Sequence, residues 1–343
     1  MKTAGIIAEY NPFHTGHKYQ IDHVKGTLSA DYVVIAMSGD FVQRGTPALL
    51  SKYVRAEMAL RAGADLVLEL PVSCATASAE LFARSGVQLL DGLGVVDTLC
   101  FGSECGDTEI LMKLAGILVE EPEEFKSALR RNLKEGMTFP KARSLALGEV
   151  LPGNESEKYQ QVLSSPNNIL GIEYCKAILE LESPLIPCPI HRPGDYHAEK
   201  ADPENPSATA LRSAILAGRP WESYLPPQAA ECLGGSPVHS LAAGERAVLY
   251  RLRTMEETDF EALPYGSEGL WRRLMHACRE EKGLEDILTA VKTKRYTRTR
   301  LNRMVLCAFL GITQEDFRCP PPYARILAFN DRGRNVLKGA KDT

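Results

Sequence analysis

Short apolar runs alternate with longer amphipathic stretches over the first hundred residues of the chain. Apolar runs of four to eight residues indicate buried strands, and apolar positions spaced three or four residues apart indicate helices. Strands are predicted at residues 4–9, 32–37, 66–70 and 95–101, and helices at residues 14–29, 51–62 and 77–90. This alternation predicts an α/β fold with a Rossmann-like, doubly wound parallel sheet.

The rest of the chain contains one more predicted strand and many predicted helices. Residues 109–181 are mainly helical in pattern, and residues 184–190 form another apolar run. A Pro-rich stretch at residues 220–227 is followed by helical periodicity over the remainder of the chain. We therefore predict two domains, an α/β domain at residues 1–224 and a mainly α-helical C-terminal domain at residues 225–343.

The composition is that of an average globular protein of 343 residues, with 44% hydrophobic and 24% charged residues. No apolar run approaches the roughly 20 residues that cross a bilayer, and no signal peptide is recognisable, so we expect a cytoplasmic protein with no membrane partner. The nine cysteines are scattered without a Cys-x-x-Cys pair, which argues against a zinc ribbon and a disulfide framework. The net charge of −4 does not by itself favour nucleic acid.

Polar loops follow three of the first four predicted strands. They begin at Tyr10, Ser38 and Gly102 and read Tyr-Asn-Pro-Phe-His, Ser-Gly-Asp-Phe-Val-Gln-Arg-Gly and Gly-Ser-Glu-Cys-Gly. A parallel sheet binds its ligands beyond the C-terminal ends of its strands. We therefore expect the three loops to meet at one site.

The sequence His-Thr-Gly-His at residues 14–17 follows the first predicted strand and opens the first predicted helix. The three-residue spacing places both imidazoles on one face of the first turn, where free N–H groups and the helix dipole favour phosphate. Gly16 lets a ligand approach the backbone, and the imidazoles can stabilise charge that builds at an α-phosphate. Two surface or capping histidines are the alternative. The position at a strand-to-helix turn favours the phosphate site.

Several segments, in the same order, resemble the bacterial tRNA(Met) cytidine acetate ligase family. The His-Thr-Gly-His sequence is similar to the His-x-Gly-His signature of the nucleotidylyltransferase superfamily, to which that family belongs. Similar segments lie at residues 9–17, 37–45, 101–104, 165–171 and 195–197, and the Thr-Lys-Arg-Tyr at residues 293–296 also looks like the family. The resemblance covers most of the chain.

This resemblance implies a nucleotidyltransferase-type fold that binds ATP, with Mg²⁺ accompanying it, and forms acetyl-adenylate from acetate. The acetyl group would pass to the N4 amine of the wobble cytidine of elongator tRNA(Met), with release of AMP and pyrophosphate. Matched position by position, the implied ATP-binding residues are Ile7, Ala8, Glu9, Tyr10, Asn11, Pro12, Phe13, His14, Thr15, Gly16, His17, Lys18, Tyr19, Gln20, Gly102, Asn168, Arg192, Ser207, Thr209 and Arg212. We take His14, His17 and Arg44 as the candidate catalytic residues.

Several of these candidates have a second interpretation. Arg192 and Arg212 carry guanidinium groups that suit phosphate, or they pair with carboxylates on the surface. Arg44, next to Gln43, can hold the acetate carboxylate, help discharge pyrophosphate, or stabilise its own loop. Asn168 can contact adenine or ribose, or cap a helix.

Candidate metal ligands are few. Glu104 and Asp107 offer oxygen ligands for magnesium, although Asp107 equally suits a helix cap. His191 and His197 have no cysteine or acidic partner at ligand spacing, so His197 is better interpreted as a site-lining or core residue. We predict no metal site built by the protein itself.

A basic segment lies at residues 292–303, where six cations occur and where no acid is found between residues 287 and 314. Such a segment suits RNA phosphates, and its aromatic residue Tyr296 either stacks on a base or packs in the protein. The predicted tRNA-binding residues are Lys292, Lys294, Arg295, Tyr296, Arg298, Arg300 and Arg303. A solvated basic helix face is the alternative.

Three functions remain open from the sequence. The leading hypothesis is a tRNA-modifying acetate ligase. The first alternative is a small-molecule adenylyltransferase without an RNA substrate, in which the basic segment would be idle. The second is a nucleotide-sensing RNA-binding protein without catalysis, and the intact His14 and His17 argue against it.

Overall fold

A computed structural model of the chain describes residues 2–151, 156–192 and 207–340, so the motif at residues 195–197, with His197, lies outside the described residues. The strands are β1 Thr3–Ala8, β2 Tyr32–Ser38, β3 Phe41–Val42, β4 Thr46–Pro47, β5 Leu66–Leu70, β6 Thr98–Ser103, β7 Ile186–His191 and β8 Arg325–Phe329. The helices are α1 Thr15–Gly26, α2 Lys52–Arg61, α3 Val72–Ala75, α4 Ala79–Gly92, α5 Thr108–Glu120, α6 Glu123–Lys134, α7 Phe139–Val150, α8 Ser156–Ser164, α9 Pro166–Glu180, α10 Ala208–Leu216, α11 Pro227–Leu233, α12 Glu245–Thr254, α13 Glu257–Glu261, α14 Leu270–Glu280, α15 Leu284–Val291, α16 Arg298–Leu310 and α17 Asp331–Gly339.

Six strands form one sheet in the order β7-β6-β1-β2-β5-β8. The first strand pairs in parallel with β2 on one side and β6 on the other, with Thr3 opposite Tyr32 and Ala4 opposite Thr98. The chain thus winds in both directions from a central first strand, which leaves a crevice beyond the ends of β1 and β6. The predicted α/β fold with a doubly wound, largely parallel sheet is confirmed.

Alternate residues of the central strands enter two hydrophobic cores, one on each face of the sheet. In β2, Val34 and Ala36 belong to the first core, while Val33, Ile35 and Met37 belong to the second. Helices α4, α5 and α9 contribute to the first core, and α1, α2 and α11 to the second. Because both faces are covered, the central strands are continuous apolar runs, which is the pattern that predicted them.

The expectation that the chain is helical throughout after residue 225 is wrong at β8. This strand pairs antiparallel with β5 at the edge of the sheet, and α17 adds Val336 to the first core. None of the five residues of β8 is buried. Its sequence contains a short apolar run at residues 326–329, but periodicity alone cannot distinguish a run of four residues from part of a helix.

A third hydrophobic core lies in helices α12–α16 and includes Val248, Phe260 and Leu301. Leu225 and Leu233, which follow the predicted domain boundary, pack instead in the second core. These contacts support a helical unit that begins near α12, and the division at residues 224 and 225 stays a prediction. None of the helices within the described ranges is both long enough and apolar enough to span a bilayer.

Candidate active site

A cavity of about 330 Å³ opens beyond the C-terminal ends of β1, β6 and β7. Of the predicted site residues, those that line it are Ile7, Ala8, Glu9, Tyr10, Asn11, His14, Gly16, His17, Tyr19, Gln20, Arg44, Gly102, Arg192 and Arg212. The loops that begin at Tyr10 and Gly102 and the loop that contains Arg44 thus meet at one cavity, as the sequence pattern predicts.

The two histidines of the His-Thr-Gly-His sequence are stacked at the start of α1. Their ring centroids are 3.6 Å apart, and the ring planes are inclined by 22°. The backbone N–H of His14 donates to Nδ1 of His17 over 3.2 Å. Because Nδ1 of neutral His17 accepts this bond, the ring proton lies on Nε2, which can donate to a ligand in the cavity.

Both imidazoles are neutral at physiological pH. Burial, followed by the positive charges of Arg192 and Arg212, lowers the pKa of His14 to about 3. Burial, followed by the nearby His14 and Arg192, lowers the pKa of His17 well below its ordinary value. Nδ1 of His14 is buried and has no hydrogen-bond partner among the described residues. The histidine pair therefore provides hydrogen bonds to a ligand, and the arginines provide the permanent charge.

The space between the two histidines leaves little room for a side chain at position 16. A Cβ atom on Gly16 would lie 3.1 Å from Cε1 and Nδ1 of His14 and 3.7 Å from Nη2 of Arg192. Arg192 directly follows β7, and Arg212 lies on α10, where its Nη1 donates to the Asn11 carbonyl over 2.8 Å. Two guanidinium groups from distant parts of the chain thus lie close to the histidine pair.

The loop between β3 and β4 contributes Gln43 and Arg44 to the cavity lining. Arg44 is exposed, and the Gln43 N–H donates to Oε1 of Glu9 over 2.9 Å. Nε2 of Gln43 is buried without a hydrogen-bond partner in the part of the chain that the structure describes. A buried amide donor close to an arginine suits a small carboxylate ligand.

Sequence reasoning missed Arg55, which holds the loops next to the cavity. Arg55 is fully buried on α2 and donates to four backbone carbonyls, those of Glu9, Ser38, Gly39 and Leu50. Burial lowers the pKa of Arg55 to about 10, which leaves it charged at neutral pH. Met58 and Ala59 share its face of the helix, so an arginine within an apolar stripe was the available signal.

An apolar part of the cavity lining was also missed. It consists of residues from α4, β6 and α9, among them Ala79, Phe82, Phe101, Leu170 and Tyr174. The rings of Phe101 and Tyr174 are 5.3 Å apart. In the sequence these residues belong to apolar stripes that indicate core packing, so no signal separated them from the core. Apolar and aromatic side chains suit a nucleobase or a methyl group.

Seven of the predicted ATP-binding residues do not line the cavity: Pro12, Phe13, Thr15, Lys18, Asn168, Ser207 and Thr209. Phe13 is fully buried in the second core, and Ser207 caps α10 with its side chain. Oδ1 of Asn168 accepts from the Ser103 hydroxyl over 2.7 Å and from the Cys105 N–H over 3.1 Å. This amide therefore connects the loop after β6 to α9. A contact of these residues with ATP stays a prediction.

The two candidate magnesium ligands are engaged elsewhere. Glu104 accepts from Nδ2 of Asn167 over 2.8 Å and from the N–H of Asn168 over 2.9 Å. Asp107 caps α5, which is one of its two predicted roles, and neither carboxylate lines the cavity. Within the described ranges, no group of three or more His, Cys, Asp and Glu side chains is placed to hold a metal ion.

The predicted tRNA-binding segment does not form one exposed surface. Tyr296 is 7% exposed and packs in the third core, so of its two expected roles it takes the packing role. Arg295 pairs with Glu268, and Arg298 forms a two-bond pair with Glu285. Ion pairs at an exposed surface contribute little stability, so these two arginines can exchange their partners for phosphates.

The remaining cations of the segment face in different directions. Arg300 donates to the Tyr265 carbonyl over 2.7 Å, and the guanidinium of Arg303 lies 5.0 Å from the centre of the Tyr265 ring. Lys292 and Lys294 are exposed. The surface available to an outside ligand therefore lies at the start of the segment.

Known proteins resemble this chain over nearly its whole length. A family model described as HIGH nucleotidyl transferase matches residues 1–343, in agreement with the predicted type of fold. The tRNA(Met) cytidine acetate ligase of Clostridium perfringens is 41% identical over 352 residues, which cover 99% of this chain and 87% of that protein. The protein of the same name from Acetivibrio thermocellus is 40% identical over 99% of this chain and 86% of its own length. The crystal structure of Thermotoga maritima TmcAL bound with alpha-thio ATP matches with a TM-score of 0.90 and 37% identity, over 98% of this chain and 83% of that chain.

Proposed function

The chain belongs to the tRNA(Met) cytidine acetate ligase family of HIGH nucleotidyl transferases, and from this membership and the cavity we propose its reaction. It condenses ATP with acetate to acetyl-adenylate and pyrophosphate, and then acetylates the N4 amine of the wobble cytidine of elongator tRNA(Met). The protein is thus an ATP-dependent ligase that forms a carbon–nitrogen bond. Because its substrate is a tRNA, we place the reaction in the cytoplasm.

The neutral, stacked pair of His14 and His17, with Arg192 and Arg212 close to it, is the observation that carries this proposal. Permanent guanidinium charge suits the β- and γ-phosphates of ATP. Neutral imidazole N–H groups suit the α-phosphate, where hydrogen bonds that strengthen in the transition state accelerate the reaction. The alpha-thio ATP in the Thermotoga maritima relative supports ATP as the nucleotide.

In the first step, an acetate oxygen attacks the α-phosphorus of ATP, and the bond from that phosphorus to the bridging oxygen of the β-phosphate breaks. Nε2–H of His17 donates to a non-bridging oxygen of the α-phosphate, and pyrophosphate leaves. Gly16 carries no side chain that would press on the His14 ring. Most of the catalysis then comes from positioning and hydrogen bonding, without a covalent protein intermediate.

Acetate is held at the loop between β3 and β4. Nε2 of Gln43 and the guanidinium of Arg44 bind the carboxylate, and the apolar lining from Ala79 and Phe82 contacts the methyl group. This loop and the histidine pair line the same cavity, so a bound acetate can reach the α-phosphate.

In the second step, the cytidine N4 attacks the carbonyl carbon of acetyl-adenylate, AMP leaves, and the amine loses one proton. Mg²⁺ is proposed as a companion of ATP that is held by its phosphates and by water. Glu104 and Asp107 are already bonded at helix N-termini, so we assign them no part in binding it.

The tRNA backbone contacts the start of the basic segment. Lys292 and Lys294 are exposed, and Arg295 and Arg298 have exposed carboxylate partners that phosphates can replace. Contacts with phosphates provide affinity but not sequence specificity, and they weaken as the salt concentration rises.

A product assay tests the proposed reaction. Purified protein is incubated with ATP, acetate and an elongator tRNA(Met) transcript, AMP is quantified, and the digested nucleosides are analysed by mass spectrometry. We expect acetate-dependent AMP together with N4-acetylcytidine. The matched control is the same transcript with uridine at the wobble position, which has no exocyclic amine and should give no acetylated nucleoside.

The same assay separates the alternatives. AMP transfer to a small metabolite, with no need for tRNA, would favour the adenylyltransferase. Nucleotide and tRNA binding without AMP formation would favour the non-catalytic RNA-binding protein. Either result would overturn the ligase proposal.

A further inference from the structure

One cation of the basic segment, Arg303, packs against the α/β part of the molecule instead of facing an outside ligand. Nη1 of Arg303 is 3.5 Å from the Ala77 carbonyl, and its guanidinium lies 5.0 Å from the centre of the Tyr265 ring. Nε of Arg303 is buried and has no hydrogen-bond partner within the described residues. Burial also lowers the pKa of Arg303 from its ordinary value. An RNA phosphate would have to displace these contacts to reach the guanidinium.

The backbone at Arg303 packs directly on the loop between β3 and β4. Gly45 has a φ of +73°, and a Cβ atom there would overlap the backbone nitrogen of Arg303 and lie 2.7 Å from its Cα. Only glycine adopts this conformation and allows this approach without strain. Gln43 and Arg44, which line the cavity, are the two residues immediately before this contact.

The second contact of Arg303 reaches another part of the cavity lining. Ala77 lies two residues before Ala79, where α4 begins, and Ala79 and Phe82 both line the cavity. Arg303 therefore touches the chain next to both parts of the proposed acetate site. Its backbone contacts the Gln43–Arg44 side, and its side chain contacts the α4 side.

We propose that Arg303 is a positioning residue that docks α16 on the loop between β3 and β4 and on the start of α4, and that it is not an RNA contact. Its role in acetate binding depends on the proposed function, whereas its role in holding the loop does not. The geometry of the acetate site is thus set from the helical unit that also carries the proposed tRNA-binding lysines.

Hydrogen–deuterium exchange tests the docking without any substrate. The relevant N–H groups are those of Gly45, bonded to the Val42 carbonyl over 2.9 Å, and Ala48, bonded to the Asp40 carbonyl over 2.9 Å. In Arg303→Met these groups should exchange at least about tenfold faster than in the wild type, because the loop opens locally more often. The control is the double variant Lys292→Ala/Lys294→Ala, which removes two exposed cations of the same segment and should leave both rates within about twofold.

Titration with elongator tRNA(Met) distinguishes positioning from RNA contact. Arg303→Met should keep the tRNA affinity and its salt dependence within about twofold of the wild type, whereas the double lysine variant should weaken binding. Arg303→Lys keeps the charge but loses the planar stack on Tyr265, so exchange at Gly45 should rise while tRNA affinity stays unchanged. If Arg303→Met does not fold, this lysine variant decides the question.

Steady-state kinetics supply the readout that a general loss of stability does not move. In Arg303→Met the acetate KM should rise about tenfold while the KM for ATP stays within about twofold, because only the acetate side of the cavity is displaced. Unchanged exchange at Gly45 and Ala48, or a loss of tRNA affinity as large as in the double lysine variant, would overturn the inference. If the wild type forms no acetate-dependent AMP, the proposed function fails, and the exchange rates still decide the role of Arg303.

Discussion

Two regions of the chain carry the strongest chemical signal in the sequence, and they behave differently in the folded protein. In the His-Thr-Gly-His region, the histidines of one short motif stack 3.6 Å apart and line one cavity with Arg192 and Arg212. In the basic segment, cations that are equally close in sequence are distributed between solvent, surface ion pairs and the contact with the α/β part of the molecule.

Backbone geometry explains the difference. Residues 14 and 17 lie three positions apart in the first turn of a helix, which brings their side chains together. On α16, Arg298 and Arg300 are two positions apart and point to opposite sides, because each helical residue turns the side chain by about 100°. Arg300 and Arg303 share a side, and both contact Tyr265. A short motif at a strand end thus brings its side chains to one site, whereas a run of charged residues does not place its side chains on one surface.

The largest expected effect is at the centre of the cavity. His17→Ala removes the Nε2–H donor that we propose for the α-phosphate, and acetate-dependent AMP formation should fall by about 10²–10³-fold. His23→Asn on the same helix is the matched control, since His23 does not line the cavity and should keep nearly full activity. Equal activity of His17→Ala and the wild type would show that His17 takes no part in AMP formation. The two regions would then not differ in the way described above.

The second prediction concerns Arg55, a cation that the sequence did not mark as functional. Arg55→Met leaves four loop carbonyls without their donor, so the free energy of unfolding should fall by about 3 kcal/mol. Arg61→Met on the same helix removes an exposed arginine that pairs with Glu57 and should cost less than about 0.5 kcal/mol. Urea denaturation measures both. A similar loss in the two variants would show that burial does not distinguish these arginines.

Gly16→Ala should have an intermediate effect. The new methyl group meets the His14 ring at 3.1 Å and should displace it, with a loss of about tenfold in kcat for AMP formation. Gly26→Ala, at the other end of α1, meets nothing within 4 Å and should leave activity unchanged. The same kcat in the two alanine variants would contradict the prediction that a methyl group at position 16 displaces the His14 ring.

The sequence predicted best where structure is local. The first strand, the helix at residues 15–26 and their connecting turn are consecutive, so hydrophobic pattern and motif sufficed to place His14 and His17. The doubly wound, largely parallel sheet followed from the alternation of strands and helices. The ATP contact predicted for Asn168 came from the family resemblance and not from a local pattern. In the structure, the amide oxygen of Asn168 accepts hydrogen bonds from Ser103 and Cys105.

The features that the sequence did not predict depend on tertiary contacts. β8 pairs at a sheet edge that only the folded chain creates, and its apolar run at residues 326–329 is too short to distinguish a strand from a helix. Arg55 is buried by loops that come from two different strand ends. The inward position of Arg303 depends on Gly45, more than 250 residues earlier in the chain. Pattern analysis of one segment at a time cannot detect such pairs.

The stability of the His-Thr-Gly-His region should depend on pH. Unfolded His14 has a pKa near 6.5 and folded His14 a pKa of about 3, so the unfolded chain binds more protons in this window. Stability is therefore fully present above pH 6.5 and falls as the pH falls, by about 1 kcal/mol over the first pH unit from this residue. Urea midpoints should show a smaller fall in His14→Asn. An equal fall in both proteins would mean that His14 is not buried in its neutral form.

The smallest expected effect lies at the exposed start of the basic segment. Lys292→Ala/Lys294→Ala should weaken tRNA binding about fivefold and reduce the slope of log affinity against log salt by about 1 to 2. Acetate-dependent AMP formation without tRNA should not change. A loss of that partial reaction, or an unchanged salt slope, would contradict the separation between the cavity and the tRNA surface.

In the proposed reaction, an acetate oxygen attacks the α-phosphate in the cavity around His14 and His17. Acetate labelled with oxygen-18 at both oxygens tests it, with mass spectrometry of the AMP and of the nucleosides from digested elongator tRNA(Met). We predict that AMP gains one oxygen-18 from the acyl-phosphate bridge and that N4-acetylcytidine carries the other in its acetyl carbonyl. Unlabelled AMP beside labelled N4-acetylcytidine would show that acetyl-adenylate is not the intermediate and would contradict the proposed reaction.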